Sequence, residues 1–381
     1  MVAVTRVTAP AAEEIARAHY GFAGSAQRLP AEHDDVFRVV AGDGSARLLR
    51  VSLAVPDRGP ADGVSLQAAI LLHLASATPQ LPVQRVIPSL DGRAEVTLAG
   101  VTPAGVTPGE ATAGEAAAGE AGPPRLARMT SWLDGDPLGG ETVGPGLRTD
   151  IGATLARLSL ALRGFSHPDA RRTHWWDLQQ LGRLRPLLGD LPPDGVLPEV
   201  RAALGAAGLA DGGELTAGDG LHAALAGSLD RFDAVVRPRL ARVPVQVIHT
   251  DFHGLNLLGD GTRVTGILDF GDALSGPVAM DVAVAACYQL GAGADPLAPA
   301  LDVIAGYHAV DPLDGTDLEL AAEFIVARVV ARIIVSQWNA LREPANRGYL
   351  LRRTPQAIEH YTALRRVGAE EIAARLRAAC S

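Results

Sequence analysis

Residues 247–273 read VIHTDFHGLNLLGDGTRVTGILDFGDA, and the reading of the whole chain works outward from them. Val245 to His249 is a short apolar run with β-branched residues, so it reads as a strand. His249 to Asn256 is a polar loop with one glycine, Gly254. Leu257 and Leu258 resume the apolar pattern, Gly259-Asp260-Gly261 is a turn, and Val264 to Leu268 forms the return strand. Asp269-Phe270-Gly271-Asp272 follows directly. The predicted hairpin carries Asp251 and Asn256 at one end and Asp269 at the other.

Phosphoryl transfer needs such a set. One carboxylate orients the attacking hydroxyl and accepts its proton, while an amide oxygen and a second carboxylate hold Mg²⁺ against nucleotide phosphates. The His-x-Asp-x-x-x-x-Asn spacing at 249–256 resembles the catalytic loop of protein kinases, and Asp269-Phe270-Gly271 resembles their metal-binding triplet. With His at both 249 and 253 and Leu-Asp-Phe-Gly-Asp following, the stretch is more similar to the aminoglycoside phosphotransferase and choline kinase-like superfamily of small-molecule kinases. The resemblance implies an α+β, bilobal, protein-kinase-like fold: a small N-lobe with an antiparallel sheet and a larger, mostly helical C-lobe. It implies Asp251 as catalytic base, Asn256 and Asp269 as Mg²⁺ ligands, and ATP or GTP as phosphoryl donor. His253, inside the loop, is a candidate for positioning the reacting groups, and His249 is expected to brace the loop.

Composition agrees with a globular enzyme. The chain has 381 residues, enough for two lobes around a cleft. It is 48% hydrophobic and 20% charged, which is ordinary for a soluble domain. A net charge of −9 disfavours a nucleic-acid partner. The apolar runs at Val278 to Leu290 and Phe324 to Trp338 are interrupted by Asp281 and by Arg328 and Arg332, so no membrane span is expected. MVAVTRVTAPAAEE has no secretory pattern, and two cysteines, Cys287 and Cys380, suit a reducing cytoplasm. There is no lysine, so all 34 basic residues are arginine and no ammonium side chain can touch a phosphate.

The rest of the chain falls into kinase order. Ala11 to Tyr20 reads as a helix stopped by Gly21. Strands are expected at Ser25 to Leu29, Val36 to Val40 and Ala46 to Val51, the last carrying Arg50. Val64 to Ala75 reads as a helix with Leu66, Ile70 and Leu74 on one face. Strands at Val83 to Pro88 and Arg93 to Leu98 follow. Residues 99–124, with GEATAGEAAAGEAGPP, are too poor in apolar side chains to offset their ordering entropy and read as a flexible insertion. Leu126 to Leu133 is the last N-lobe strand and the hinge, with backbone groups of Met129, Ser131 and Trp132 expected at the nucleotide base. The N-lobe is thus expected over 1–128 and the C-lobe over 129–381, with the catalytic hairpin at 245–273. In the C-lobe, Arg148 to Phe165 has a core stripe of Ile151, Leu155, Leu158 and Leu162. Trp175-Trp176-Asp177-Leu178 opens another helix, 192–220 is loop-rich, and Leu221 to Val236 is helical. Helices are expected at Asp281 to Leu290, Asp302 to His308, Leu318 to Leu341 and Pro355 to Ala379.

Several further stretches sharpen the resemblance: Gln67 in its helix, LPVQRVIPSLDG at 81–92, Trp132-Leu133-x-Gly135, HPDARRTHWWDL at 167–178, and the tail from Ala331 to Leu351. Together they resemble the branch that contains hydroxylysine kinase and the kinase domains fused to class III aminotransferases. That branch implies a small acceptor with a hydroxyl and an amine. The N-lobe departs from the pattern: Arg50 stands where the phosphate-pairing Lys is usual, Ser65 where its Glu partner is usual, and Val36 where Asn is common. A planar five-donor guanidinium and a compact ammonium are not equivalent. Glu32, Asp34 or Asp35 are the acids placed to orient Arg50.

An acceptor ammonium wants a carboxylate, for which Asp272 and Asp177 are candidates. An acceptor carboxylate wants a bidentate arginine, for which Arg328 and Arg332, four apart on one helix face, are candidates. Three readings stand at this point: a small-molecule O-kinase, a kinase of a secondary metabolite or of peptide Ser/Thr in a biosynthetic pathway, and a pseudokinase that binds nucleotide without turnover. The sequence leaves oligomeric state open.

Overall fold

The computed structural model describes residues 6–31, 34–53, 65–98, 101–102, 105–106, 124–139, 143–206, 220–292 and 295–381. The chain divides into two compact units, Met1–Asp134 with Gly266–Leu268, and Gly135–Thr265 with Asp269–Ser381.

Unit 1 begins with helix α1, Ala9–Tyr20. It starts two residues before the expected Ala11 because the Thr8 hydroxyl accepts the Ala11 N–H at 3.3 Å and Pro10 sits in the first turn, where its missing N–H costs nothing. Strands Ser25–Leu29 (β1), Asp35–Val40 (β2) and Ala46–Leu53 (β3) form an antiparallel meander. Helix α2, Leu66–Ala77, follows, and then the short strands Val86–Ile87 (β4) and Val96–Leu98 (β5). Of the expected 99–124 insertion, an antiparallel pair at Val101–Thr102 (β6) and Gly105–Val106 (β7) and residue 124 are described; the rest lies outside the described residues. Arg125–Ser131 (β8) closes the sheet, in the order β1-β2-β3-β8-β4 with β5 also on β8. All of β8 pairs with β3, so the expected boundary at 128/129 would cut a strand, and unit 1 runs to Asp134 instead.

One face of this sheet carries Phe37, Val39, Leu49, Val51, Ala127 and Met129, all buried against Ile15, Ala16 and Tyr20 of α1. Burying each such large side chain contributes about 1.5–3 kcal/mol. Strand alternation turns Arg50 and Arg128 to the opposite face.

Unit 2 is mostly helical. Its strands are Asp136–Pro137 (β9), Gln246–Ile248 (β10), Leu257–Gly259 (β11), Val264–Ile267 (β12, whose last two residues count with unit 1) and Leu274–Gly276 (β13). Strands β11 and β12 form the expected hairpin, and β9 joins it on β11. Strand β10, before the 249–256 loop, pairs with β13 rather than with the hairpin, which ties the two ends of 246–276 together. Helix α3 spans Pro145–Leu162, with Ile151, Leu155, Leu158 and Leu162 buried as the periodicity required.

The longest helix, Gly315–Arg342, opens with a reciprocal capping box between Asp314 and Asp317 and is the central packing element. Three expectations need correction here. The 192–220 stretch contains a helix, Pro198–Ala206, because Val200 and Leu204 find the core; residues 207–219 lie outside the described residues. Asp177 caps a 3₁₀ stretch, Leu178–Leu184, instead of an α-helix. The single helix expected over Pro355 to Ala379 is two, Thr354–Val367 and Ala369–Ala379, broken at Gly368, whose φ of 83° no β-carbon-bearing residue adopts without strain. Among the described residues, no helix is long and apolar enough to cross a membrane.

Candidate active site

The loop between β10 and β11 is held from below by an acid that sequence reasoning saw as a break in an apolar run. Asp281, in the Val278–Cys287 helix, is 3% exposed. Its Oδ2 accepts the His249 N–H at 2.9 Å and its Oδ1 the Thr250 N–H at 2.7 Å. Burial pushes the Asp281 carboxyl above the ordinary range, and the His249 ring and these N–H groups pull against that. The clamp has a conformational purpose. Thr250, with φ 65°, and Asp269, with φ 56°, are the two non-glycine residues with positive φ among those described. A β-branched residue there is strained by roughly 1–3 kcal/mol, which surrounding bonds must offset. Thr250 is fixed at its N–H by Asp281 and at its hydroxyl, which donates to the Asp272 carbonyl at 2.8 Å.

That twist delivers Asp251. Its Oδ1 accepts from Arg328 Nη2 at 2.7 Å, and its Oδ2 from Asn256 Nδ2 at 2.8 Å with His253 Nε2 at 3.1 Å. Burial alone would push the pKa of this carboxyl up, but His253 and Arg328 outweigh it and hold Asp251 well below the ordinary carboxylate range. The group is therefore an oriented anion, suited to aligning a hydroxyl and receiving its proton late in the reaction. Gly254 is required in this loop: a β-carbon there would lie 2.5 Å from the Leu138 carbonyl oxygen. His249 is fully buried, with Phe252 at 5.5 Å and Phe270 at 4.9 Å between ring centroids, so the imidazole joins the two halves of the loop. The His253 ring rests on Tyr288, centroids 4.6 Å apart.

Asn256 spends its amide nitrogen on Asp251, on the carboxylate and on the carbonyl at 3.0 Å, which leaves its amide oxygen as the atom suited to a metal. Asp269 Oδ1 accepts the Gly271 N–H at 3.0 Å, an Asx turn that explains how an Asp tolerates the left-handed region. Among the described residues no three His, Cys, Asp or Glu side chains gather to hold a metal. Two oxygen donors, Asn256 and Asp269, fit a hard cation that completes its shell with phosphate oxygens and water, as Mg²⁺ does.

The Asp269–Ala273 segment is braced by the 167–178 stretch. Arg172 donates from Nη2 to the Gly271 carbonyl and from Nε to that of Ala273 at 3.1 Å, and His174 Nε2 meets the Asp272 carbonyl at 3.1 Å. The Asp272 carboxyl is raised by burial and by the nearby Asp251 charge, and among the described residues it accepts no hydrogen bond. Asp177 is placed differently: 5% exposed, it caps the 3₁₀ stretch by accepting the Gln179 N–H at 3.0 Å. Arg328, 2% exposed, donates to Asp251 and to the Tyr288 hydroxyl at 3.0 Å, with the Trp176 ring 4.8 Å and the Tyr288 ring 5.3 Å from its guanidinium carbon. Arg332 stacks on Tyr288 at 5.0 Å. The Arg328–Asp251 pair spans 77 positions of sequence, and no local pattern signals it.

In unit 1, Arg50 Nη1 pairs with Asp34 Oδ2 at 3.1 Å, one of the three acids named for it; Asp35 bonds Arg28, and Glu32 lies outside the described residues. The Met129 side chain is in the core, Ser131 gives its N–H to the Arg85 carbonyl at 2.8 Å, and the Trp132 ring carries Arg38 at 4.8 Å.

Comparison with known proteins bears on the family and the fold. The phosphotransferase enzyme family (APH) matches residues 25–324. The chain is 22% identical over 373 residues to hydroxylysine kinase of Danio rerio, covering 95% of this chain and 92% of that protein. It is 23% identical to the hydroxylysine kinase of Mus musculus over 59% of this chain and 57% of that one. Among solved structures, the amicoumacin kinase hAmiN, in complex with AMP-PNP, Ca²⁺ and Ami, superposes with a TM-score of 0.58 at 15% identity, covering 89% of each chain. The microcompartment-associated aminopropanol kinase does so with 0.55 at 18% identity, covering 96% of this chain and 94% of that one. These likenesses show the kinase-like fold that the antiparallel sheet of unit 1 and the helical unit 2 had suggested. With the family matched over most of its length, this chain belongs to the phosphotransferase enzyme family.

Proposed function

We propose that the protein moves the γ-phosphoryl group of ATP or GTP, with Mg²⁺, to a hydroxyl of a small amine or amino acid of the hydroxylysine, homoserine or ethanolamine type. The observation that carries this reading is Asp251, an anion held by three donors on a strained loop beside Asn256. Asp251 orients the acceptor hydroxyl and takes its proton. Asn256 and Asp269 hold the metal, which neutralises phosphate charge when bound. His253 fixes Asp251 from the solvent side, and Arg328 fixes it from the core.

The amine follows from Asp272. A partly buried carboxyl without a hydrogen-bond donor, pushed up by Asp251, is relieved by an adjacent ammonium. Hydroxylysine, homoserine, ethanolamine, threonine and aminoglycosides, offered with Mg²⁺ and ATP or GTP, should include at least one acceptor detected by mass spectrometry as its phosphate ester. The N-acetylated form of that acceptor should have a KM raised by roughly tenfold or more, about 1.4 kcal/mol. No product from any of them, with nucleotide still bound, would favour a specialised biosynthetic acceptor or a pseudokinase.

Arg50 is proposed as the phosphate contact, since burying triphosphate charge without a cation is costly. Its guanidinium is permanently charged, and its partner Asp34 is partly exposed and free to yield to a phosphate. Arg50→Ala is expected to raise the nucleotide KM roughly tenfold or more, equivalent to about 1.4 kcal/mol. Arg50→Lys should not restore it, because a compact ammonium lacks the planar fork of donors that a guanidinium offers phosphate oxygens. Steady-state kinetics with ATP and GTP decide this, and a wild-type KM in Arg50→Ala would show that the phosphates are bound elsewhere.

A further inference from the structure

The missing carboxylate at position 65 is supplied by Glu95, the residue just before β5. Arg50 of β3 lies directly opposite Arg128 of β8 in the antiparallel register. Val96 of β5 lies opposite Ala127, and continuing that register by one residue sets Glu95 opposite Arg128. The row across the sheet is therefore Arg50, Arg128, Glu95, on the face turned away from α1. Glu95 and Arg128 are closed to solvent, with side-chain exposures of 6% and 9%.

Their bonds converge on the start of α2. Arg128 Nη1 donates to Glu95 Oε1 at 2.9 Å and to Ser65 Oγ at 3.1 Å, and Nη2 donates to Gln67 Oε1. Ser65 gives its N–H to Glu95 Oε2 and its hydroxyl to Glu95 Oε1, both at 2.7 Å. The same hydroxyl accepts the Ala68 N–H as the helix cap, at 3.3 Å. Ser65, too short to reach the sheet with a charge of its own, thus presents the charge of Glu95 at the helix N-terminus, where an anion is also favoured by the helix dipole.

Two arginines side by side on adjacent strands repel each other, and burial adds to the cost for Arg128. Glu95 compensates Arg128, and Asp34 compensates Arg50. The two acids differ in one respect: Asp34 is 22% exposed and can leave, whereas Glu95, at 6%, cannot. We propose that Glu95 and Arg128 are positioning residues for the nucleotide phosphates, an ion pair between β8 and the residue that precedes β5, which holds the sheet-to-α2 link and adds a fixed second cation behind Arg50. This rests on the kinase reading and deepens it by assigning the phosphate site of unit 1 to two arginines and the glutamate that precedes β5.

The test compares Glu95→Gln, Arg128→Gln and the double variant Glu95→Gln/Arg128→Gln with the wild type. The readouts are calorimetry with AMP-PNP and Mg²⁺, KM for nucleotide and for acceptor, and thermal unfolding. Each single variant leaves one buried charge without its opposite charge and is expected to unfold at lower temperature. The double variant replaces the pair by two neutral hydrogen-bonding side chains and should regain most of that loss, since exchanging both partners is far milder than removing one. Its nucleotide affinity should nevertheless stay about tenfold weak, with nucleotide KM raised by the same factor and acceptor KM at the wild-type value. A double variant that unfolds like the wild type and binds AMP-PNP like the wild type would overturn the inference and leave a purely structural ion pair. A wild-type protein that binds no nucleotide would instead overturn the kinase reading on which the inference rests.

Discussion

Asp251→Asn is expected to lower kcat by roughly 10²–10⁴, the range that a positioned general base contributes. The substitution keeps an oxygen for Arg328 and removes the negative charge that aligns the hydroxyl. It also changes the fold energetics, because Arg328 is 2% exposed and Asp251 is the carboxylate it bonds. Removing one partner of a buried pair costs about 3–5 kcal/mol, and an isosteric amide that still accepts a hydrogen bond loses only part of it. Thermal unfolding should therefore fall by several degrees without loss of the folded state. The companion variant Asp251→Asn/Arg328→Met removes the orphaned cation and should recover part of the unfolding temperature while kcat stays low. Recovery of stability without activity separates the chemical role of Asp251 from its packing role. Wild-type kcat in Asp251→Asn would remove this carboxylate from the reaction.

The second large effect concerns Asp269. Alanine at this position is an ambiguous probe, since φ is 56° and the side chain also accepts the Gly271 N–H. Asparagine tolerates the left-handed region and keeps an acceptor oxygen, so Asp269→Asn alters the charge with little change of backbone. Mg²⁺-dependent AMP-PNP binding, measured as the difference between titrations with and without Mg²⁺, should vanish in Asp269→Asn. Affinity for the metal-free nucleotide should be unchanged or slightly higher, because a negative charge near the phosphates has gone. An unchanged Mg²⁺ dependence would show that Asp269 is not a ligand.

What the sequence made legible was local. The order of strands and helices in unit 1, the hairpin after the 249–256 loop and the spacing of Asp251, Asn256 and Asp269 all lie in short windows, where side-chain period and turn chemistry act directly. What it did not make legible was carried by charges that meet across long separations. Asp281 clamps backbone groups 31 and 32 positions away, and it reads in sequence as an interruption of an apolar helix. Glu95 reaches Ser65 and Arg128, 30 and 33 positions away, and so supplies a carboxylate that an inspection of α2 alone reports as missing. Arg328 and Arg332 read as candidates for a substrate carboxylate because they share a helix face; that both guanidiniums lie on the Tyr288 ring and that Arg328 is bonded to Asp251 was not legible. The Gly368 break was missed for the opposite reason: the apolar period continues through Tyr361, Leu364 and Ile372 while the backbone turns between them.

The most direct measurement follows the γ-phosphoryl group itself. ATP or GTP labelled at the γ-position is incubated with the protein, Mg²⁺ and a hydroxylated amine, and the label is traced to the amine or to inorganic phosphate. A small-molecule phosphotransferase places the label on the acceptor hydroxyl, requires Mg²⁺ and loses the transfer in Asp251→Asn and Asp269→Asn. Label that stays on the nucleotide, or that passes to water equally with and without every acceptor and in both variants, would contradict phosphoryl transfer by this site.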